Sequence, residues 1–356
     1  MSCMSNAQFR SLPRLLTLAV IAFASIAVPS GVGYSATAAF TSVSQIQNQI
    51  TGIQKTLAEG KSISYSSLGS SIRLAANDHP SNKCIASYTD TALPAGRCTL
   101  GSARANAKLV VAFGDSHLWQ WIGALDVIAR QRNWKLVTYA KASCLNMAAI
   151  FTINSNQRVP ANLLNKPYSQ CVVWRDAVLN EISKSKPYLI VTSGEFRSES
   201  LYEWPSRRAI TVSSAMTSMM TRLKSYVGNN AARVIEILDT PYGGIGDASS
   251  ASCLSINPQL TPNPTPTSAW PRGSQYCYRP WSYDYSSPTV RDAMRDGAQR
   301  SGVVVVDPSL WFCTVGSSGI CPPIISNVVT YMDNAHISQS YSLLLVNLLG
   351  SSFPES

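Results

Sequence analysis

The sequence predicts an α/β fold: a three-layer sandwich in which helices cover both faces of a five-stranded parallel sheet, with disulfide-stapled loops. Three observations predict it. Five short runs rich in Val, Ile and Leu follow residue 107, at 108–113, 135–140, 188–193, 233–238 and 303–307, and continuous apolar runs suit strands buried on both faces. Stretches of helical periodicity separate these runs, which is the alternation of a parallel sheet crossed by helices. Eight cysteines lie beyond residue 80, an even number of the kind that pairs off in an oxidising compartment.

Residues 1–38 read as a signal peptide. Arg10 and Arg14 precede an apolar run from Leu15 to Val28, and Ala36-Thr37-Ala38 has the small-residue form of a cleavage site. The run is shorter than the ~20 residues of a spanning helix, an uncleaved anchor being the alternative reading. No later run is long and apolar enough to span a bilayer. The mature chain is therefore expected outside the cytoplasm, secreted or in the cell envelope, after cleavage near Ala38.

Residues 39–107 read as a helical and irregular extension. Val43, Ile46, Ile50, Ile53 and Leu57 have helical spacing, predicting an amphipathic helix that packs on the main domain or spaces it from a surface. The segment "AANDHPSNKC" interrupts it, and residues 78–107 are expected to be irregular, held by Cys84 and Cys98.

Residues 108–356 read as the main α/β domain. Strand "KLVVAF" runs into "GDSH" and a helix from Ser116 to about Arg132. "KLVTYA" is the second strand, with a loop and a helix over 171–186 after it. "YLIVTS" is the third, with a helix over 208–227, and "RVIEIL" the fourth. A Pro- and aromatic-rich insert at about 240–288 follows, too long for a routine connection. A helix over 289–302, the strand "VVVVD" and a closing helix over 338–350 complete the domain. Ligands bind such sheets beyond the carboxyl ends of the strands. That rule gathers 114–117, 141–146, 193–196 and 239–244 at one rim, with 331–337 joining them.

The chain carries a net charge of +10, and losing Arg10 and Arg14 leaves 27 basic against 19 acidic residues. A positive surface suits anionic envelope polymers. Nucleic acid is not expected as a partner, because no dense Lys/Arg run or zinc-finger pattern is present. Cys3 would leave with the signal peptide. The remaining eight are expected to pair as sequence neighbours, Cys84–Cys98, Cys144–Cys171, Cys253–Cys277 and Cys313–Cys321, each pair closing one loop. A zinc cluster would want a C-x-x-C pair, which the sequence lacks. No metal and no cofactor is expected, and the protein is expected to be a monomer.

The chain has three histidines, His79, His117 and His336. Nothing ties His79 to the rim. His117 adjoins Ser116, and adjacent residues of a helical turn point apart, so it is expected to be a structural neighbour. His336 follows Asp333 by three residues in "YMDNAHIS", just before the last helix. An Asp so placed orients the imidazole through Nδ1 and leaves Nε2 as a base. A serine hydroxyl needs such a base, and Ser116 sits where a strand becomes a helix, with N–H groups near a developing oxyanion. Ser116 also suits a helix cap; the D-x-x-H segment favours a nucleophile. In the insert, Trp270, Tyr276 and Trp281 offer flat faces for sugar rings, or else cover the sheet edge.

With these segments together the chain resembles the SGNH (GDSL-like) hydrolase superfamily. "VVAFGDSH" resembles its first block, with Ser116 as nucleophile, and "DNAH" its last, with Asp333 and His336 completing a triad. Over roughly 80–350, "GDSHLWQW", "KASCLN", "CVVWRDAV", "LDTPYG", "WFC…ICPP" and "YMDNAHIS" resemble the SGNH domain fused to bacterial acyltransferase-3 membrane proteins, here without the membrane half. The resemblance implies a flavodoxin-like SGNH sandwich and an exported serine O-acyl esterase or transferase, with O-acetyl as the expected group. Its substrate would be an acylated carbohydrate or envelope glycan, its intermediate an acyl-enzyme, and its partner a separate membrane acyltransferase. The superfamily's second block supplies a Gly to the oxyanion hole and its third an Asn, whereas the matching loops here read "KASCLN" and "TSGEF". The Ser116 N–H is the most secure donor, and Ser143, Gly194 and Asn146 are further candidates. The missing third-block Asn keeps open a different class, a non-catalytic envelope-binding or scaffold module.

Overall fold

The computed structural model describes residues 38–93, 95–153, 159–195, 200–245, 248–262, 277–281, 288–316 and 319–355. Its centre is a six-stranded sheet of β1 (Arg97–Gly101), β2 (Lys108–Gly114), β3 (Trp134–Ala140), β4 (Leu189–Ser193), β5 (Val234–Ile237) and β6 (Val304–Val306). The spatial order is β6-β5-β4-β2-β3-β1. The five strands expected from the apolar runs are all present and parallel. The sixth, β1, lies in the stretch expected to be irregular and pairs antiparallel with β3, Arg97 opposite Tyr139 and Gly101 opposite Lys135. An edge strand needs only one partner and one apolar face, so its sequence, RCTLG, carries no buried run.

Alternate residues of each strand feed opposite layers, as the two-residue side-chain period requires. Val110, Ala112, Leu136, Val191 and Ile235 join one apolar cluster. Helices α1 (Val43–Ala58), α2 (Gly69–Leu74), α4 (Ile122–Gln131), α9 (Gln339–Leu344) and α10 (Val346–Ser351) cover it, with Ile50, Ile72, Leu125, Leu344 and Leu349 in the same cluster. Val111, Phe113, Val137, Ile190 and Val234 join the other. There α5 (Ser169–Ser185), α6 (Val212–Tyr226) and α8 (Pro288–Arg300) supply Leu179, Met219 and Met294. The periodic stretch from Ser116 divides into a single turn, α3 (Ser116–Trp119), and α4. The closing helix likewise divides at Leu345.

Helix α1 is seated in the main core. Its N-terminus carries a capping box, in which the Ser42 hydroxyl accepts the Gln45 N–H and the Gln45 side chain accepts the Ser42 N–H. Ile46 and Ile50 are wholly buried, each contributing about 1.5–3 kcal/mol of apolar burial. Gln47 Nε2 donates to the carbonyls of Leu310 and Cys313, at 2.6 and 2.9 Å.

The four neighbouring cysteine pairs close as disulfides: Cys84–Cys98, Cys144–Cys171, Cys253–Cys277 and Cys313–Cys321. The first ties the segment before β1 to β1 itself, and the second ties the loop after β3 to the first turn of α5. The insert holds α7 (Ser250–Ile256), anchored through Cys253. Among the described residues no helix is long and apolar enough to cross a membrane.

Candidate active site

From β2 the chain runs first to β3 on one side and then returns to β4 on the other, so the carboxyl end of β2 is where the strand order reverses. That is the place where parallel α/β sheets bind ligands, and Gly114 to His117 occupy it. A side chain on Gly114 would begin 2.0 Å from the Ser193 carbonyl oxygen. Only glycine lets β2 and β4 approach so closely there.

Asp115 is the N-cap of α3 and a clasp between two loops. Its Oδ1 accepts the His117 N–H at 2.7 Å and its Oδ2 the Glu195 N–H at 2.9 Å. Burial pushes its carboxyl up to about 7, against the pull of His117 and these two N–H groups. Ser116 opens the helical turn, half-buried, and as the first helical residue its N–H has no intrahelical acceptor.

The second half of the site comes from the segment before α9. Asp333 Oδ1 accepts the N–H groups of Ala335 and His336, at 2.8 and 2.7 Å, and Oδ2 lies 2.8 Å from His336 Nδ1. Burial works against the Asp333 charge, but the bonds from His336 and Ala335 outweigh it and hold the carboxyl well below the usual range. With Nδ1 committed to the carboxylate, Nε2 is the free ring nitrogen. It is buried and has no hydrogen-bond partner among the described residues. The His336 ring lies 4.8 Å, centroid to centroid, from that of His117, and 6.4 Å from Trp119, edge to face. The D-x-x-H segment is thus packed against the turn that bears Ser116.

Gln120 fixes that packing. It is wholly buried, its Oε1 accepts the Ile337 N–H at 2.8 Å, and its Nε2 donates to Thr240 Oγ1 at 3.3 Å. Sequence reasoning did not single it out, since its partners lie more than a hundred residues away.

The further oxyanion-hole candidates sit differently. Ser143 adopts a left-handed conformation, φ 51°, the shape glycine takes most readily, in the loop after β3. Its hydroxyl bonds Tyr88 Oη at 2.9 Å. Gly194 fits between two side chains: a Cβ there would lie 2.6 Å from Asn146 Oδ1 and 3.4 Å from Asp115 Oδ2. Asn146 is wholly buried and its Nδ2 donates to both Glu236 oxygens, at 3.0 and 2.9 Å, so its amide donor is already engaged. Thr192 Oγ1 donates to the same carboxyl. Burial pushes Glu236 up to about 8 despite these donors. Trp281 is half-buried against the core that holds Cys313 and Cys321; Trp270 and Tyr276 lie outside the described residues.

His117 is more than a neighbour of Ser116. Its Nδ1 lies 2.6 Å from Asp239 Oδ1 and its Nε2 3.3 Å from Glu195 Oε2. Glu195 and Asp239 were legible as acids two residues beyond two strand ends, a rim position shared with Ser116. What the sequence lacked was any sign that one ring would reach both.

The parallel sheet thus carries Ser116 at its reversal point, and the Asp333–His336 pair packs against the turn that bears it. Residues 83–350 match the family model described as the SGNH domain fused to AT3 domains, and the chain belongs to that family. Solved structures similar to it include the periplasmic domain of the lipopolysaccharide acetyltransferase of Salmonella ser. Paratyphi A. That match has 13% identity and a TM-score of 0.48, covering 86% of this chain and 98% of that one. Another is a carbohydrate acetylesterase from Sinorhizobium meliloti, with 11% identity and a TM-score of 0.34, covering 68% of this chain and 97% of that one. No curated protein matches the chain.

Proposed function

We propose that the protein is a serine O-acyl esterase or transferase acting outside the cytoplasm on acylated cell-envelope carbohydrate, with acetyl as the group carried. The observation that carries this reading is the Asp333–His336 pair, 2.8 Å apart, with Nε2 unpartnered beside the turn of Ser116. Membership of the SGNH family supports it. Four disulfides support the compartment, since such bonds persist where the medium is oxidising.

Ser116 Oγ attacks the ester carbonyl carbon while its proton passes to His336 Nε2. Asp333 steadies the imidazolium so formed. The Ser116 N–H, joined by a backbone donor from the loops of Ser143 or Gly194, donates to the carbonyl oxygen as it gains charge. The tetrahedral intermediate collapses, the C–O bond to the sugar breaks, and His336 returns the proton to the leaving hydroxyl. Water or a second sugar hydroxyl then gives a proton to His336 and attacks the acyl-serine; the bond to Ser116 Oγ breaks, His336 returns the proton to Oγ, and acetate or an acetylated sugar leaves. In the transferase form a separate membrane acyltransferase supplies the acyl group.

The test is turnover of a chromogenic acetyl ester and labelling by a serine-reactive phosphonate, in wild type, Ser116→Ala and His336→Ala. Label is expected on Ser116 alone, and both variants should lose turnover. Labelling that survives Ser116→Ala defeats the assignment. The engaged amide of Asn146 favours the second reading, an envelope-binding module, which a wild type without label or turnover would select.

A further inference from the structure

The proposed triad leaves His117 unused, yet His117 is wholly buried and each of its ring nitrogens faces a carboxylate. A neutral imidazole has one N–H and cannot meet two anions. Neither contact is an aligned hydrogen bond, and two short approaches of one ring to two carboxyl groups, at 2.6 and 3.3 Å, call for an imidazolium. The carboxylates stand at separate strand ends. Glu195 lies two residues beyond β4 and Asp239 two beyond β5, while Ser116 lies two beyond β2. These three strands are neighbours in the sheet, so one ring joins three adjacent carboxyl ends at the rim. The same ring packs 4.8 Å from that of His336.

We infer that His117 is a positioning residue for acyl transfer: its imidazolium pins the turn carrying Ser116 to the ends of β4 and β5 and forms the wall on which the His336 ring rests. The inference deepens the reading of Ser116 and His336 as nucleophile and base, and rests on it.

The titratable and charged groups around this ring come from every element packed against it. Asp115 lies on its own turn, Glu195 follows β4, and Glu236 and Asp239 come from β5 and its end. Arg291 of α8 stands behind Asp239, its Nε 3.4 Å from the Asp239 carbonyl oxygen, and Asp333 and His336 face it from before α9. Burial opposes a charge on His117, but Asp239 and Glu195 together outweigh it and hold the ring well above its ordinary pKa. The imidazolium therefore persists through neutral pH. In alkali it loses a proton, one carboxylate loses its partner, and the serine turn is released.

The alkaline limb of the rate profile reads this directly. Removing either anion makes the proton easier to lose, so Glu195→Gln should move the alkaline limb of kcat down by about one pH unit. Asp239→Asn, the closer contact, should move it further. KM should stay constant, since the effect acts on the reacting geometry. Turnover and the rate of phosphonate labelling would be followed from about pH 6 to about pH 10 in wild type and both variants. A role in packing alone would lower the melting temperature and leave the limb in place; an unmoved limb in folded Glu195→Gln protein overturns the inference. If Asp239→Asn does not fold, Glu195→Gln decides alone, its side chain being 15% exposed at the rim. The imidazole 15N signals of His117, recorded in Ser116→Ala protein, give a second reading. A doubly protonated ring near pH 7 is expected, and a neutral ring overturns the inference. This measurement stands whether or not Ser116 is the nucleophile, whereas absent label on wild-type Ser116 defeats the triad reading by itself.

Discussion

Asp333→Asn is the sharpest probe of the site. The carboxylate accepts three N–H groups, two of them from the backbone through Oδ1. Asparagine keeps an oxygen for the backbone pair and turns an NH2 group toward His336 Nδ1. A donor facing a donor forces Nδ1 to become the acceptor and moves the ring proton to Nε2, the wrong tautomer for taking a proton from serine. The variant also removes a charge that matters most when His336 is an imidazolium, during acyl transfer. Asp333 keeps 45% of its side chain exposed, so an effective dielectric of about 20 applies rather than that of a dry interior. Charge centres about 4 Å apart then interact by about 4 kcal/mol. At 1.36 kcal/mol per decade that is roughly a thousandfold in kcat. The measurement is kcat on a chromogenic acetyl ester, with circular dichroism and a thermal melt to confirm the fold. A folded Asp333→Asn protein that loses less than about tenfold would refute Asp333 as the orienting acid.

Three further outcomes are expected. Gly194→Ala should destabilise by about 1–3 kcal/mol in urea unfolding, because its Cβ would meet Asn146 Oδ1 at 2.6 Å. Replacing Cys144 and Cys171 with serine opens a link across 27 residues and should cost about 3–4 kcal/mol. It should also slow turnover, since the loop bearing Ser143 is freed; an unchanged melt would contradict this. Stability should depend on pH through the buried acids. Asp115 and Glu236, raised to about 7 and about 8, keep protons in the folded chain that the unfolded chain has released. Stability is therefore fully present below about pH 4 for these two groups and is lost as pH rises through about 7–8. The melting temperature should fall by several degrees between about pH 5 and about pH 8.5, and Glu236→Gln should flatten that slope. Asp333 and Asp307 act oppositely, their depressed carboxyls losing their contribution as pH falls through the acid range.

The fold was legible where local pattern and tertiary role coincide. Val110 to Phe113, Leu189 to Val191, and Val234, Ile235 and Ile237 are apolar because both faces of the sheet are covered, and a run of that kind has few other uses. Residues 97–101 carry no such mark: Arg97 is exposed, Cys98 half-buried, and β3 supplies the pairing, so only β3's presence makes them a strand. At the site, Asp333 and His336 could be read together because three residues separate them. His117, Glu195 and Asp239 could not, because sheet order alone brings them to one point. Considering His117 only against its neighbour Ser116 tested the wrong partner. A catalogue of acids just past each strand end would have offered the right ones.

The seat of α1 bears on how this chain can be handled. The recurring family segment begins at residue 83, yet Ile46, Ile50, Leu57, Ile72 and Ala75 belong to the same apolar cluster as the sheet residues Val110 and Leu136. A chain cut at residue 83 would strip one wall from that cluster and turn Ile324, Ile325 and Val328 toward water. The family match is shorter than the packed core of this protein, and an expression clone trimmed to it should aggregate where one starting near residue 38 stays in solution.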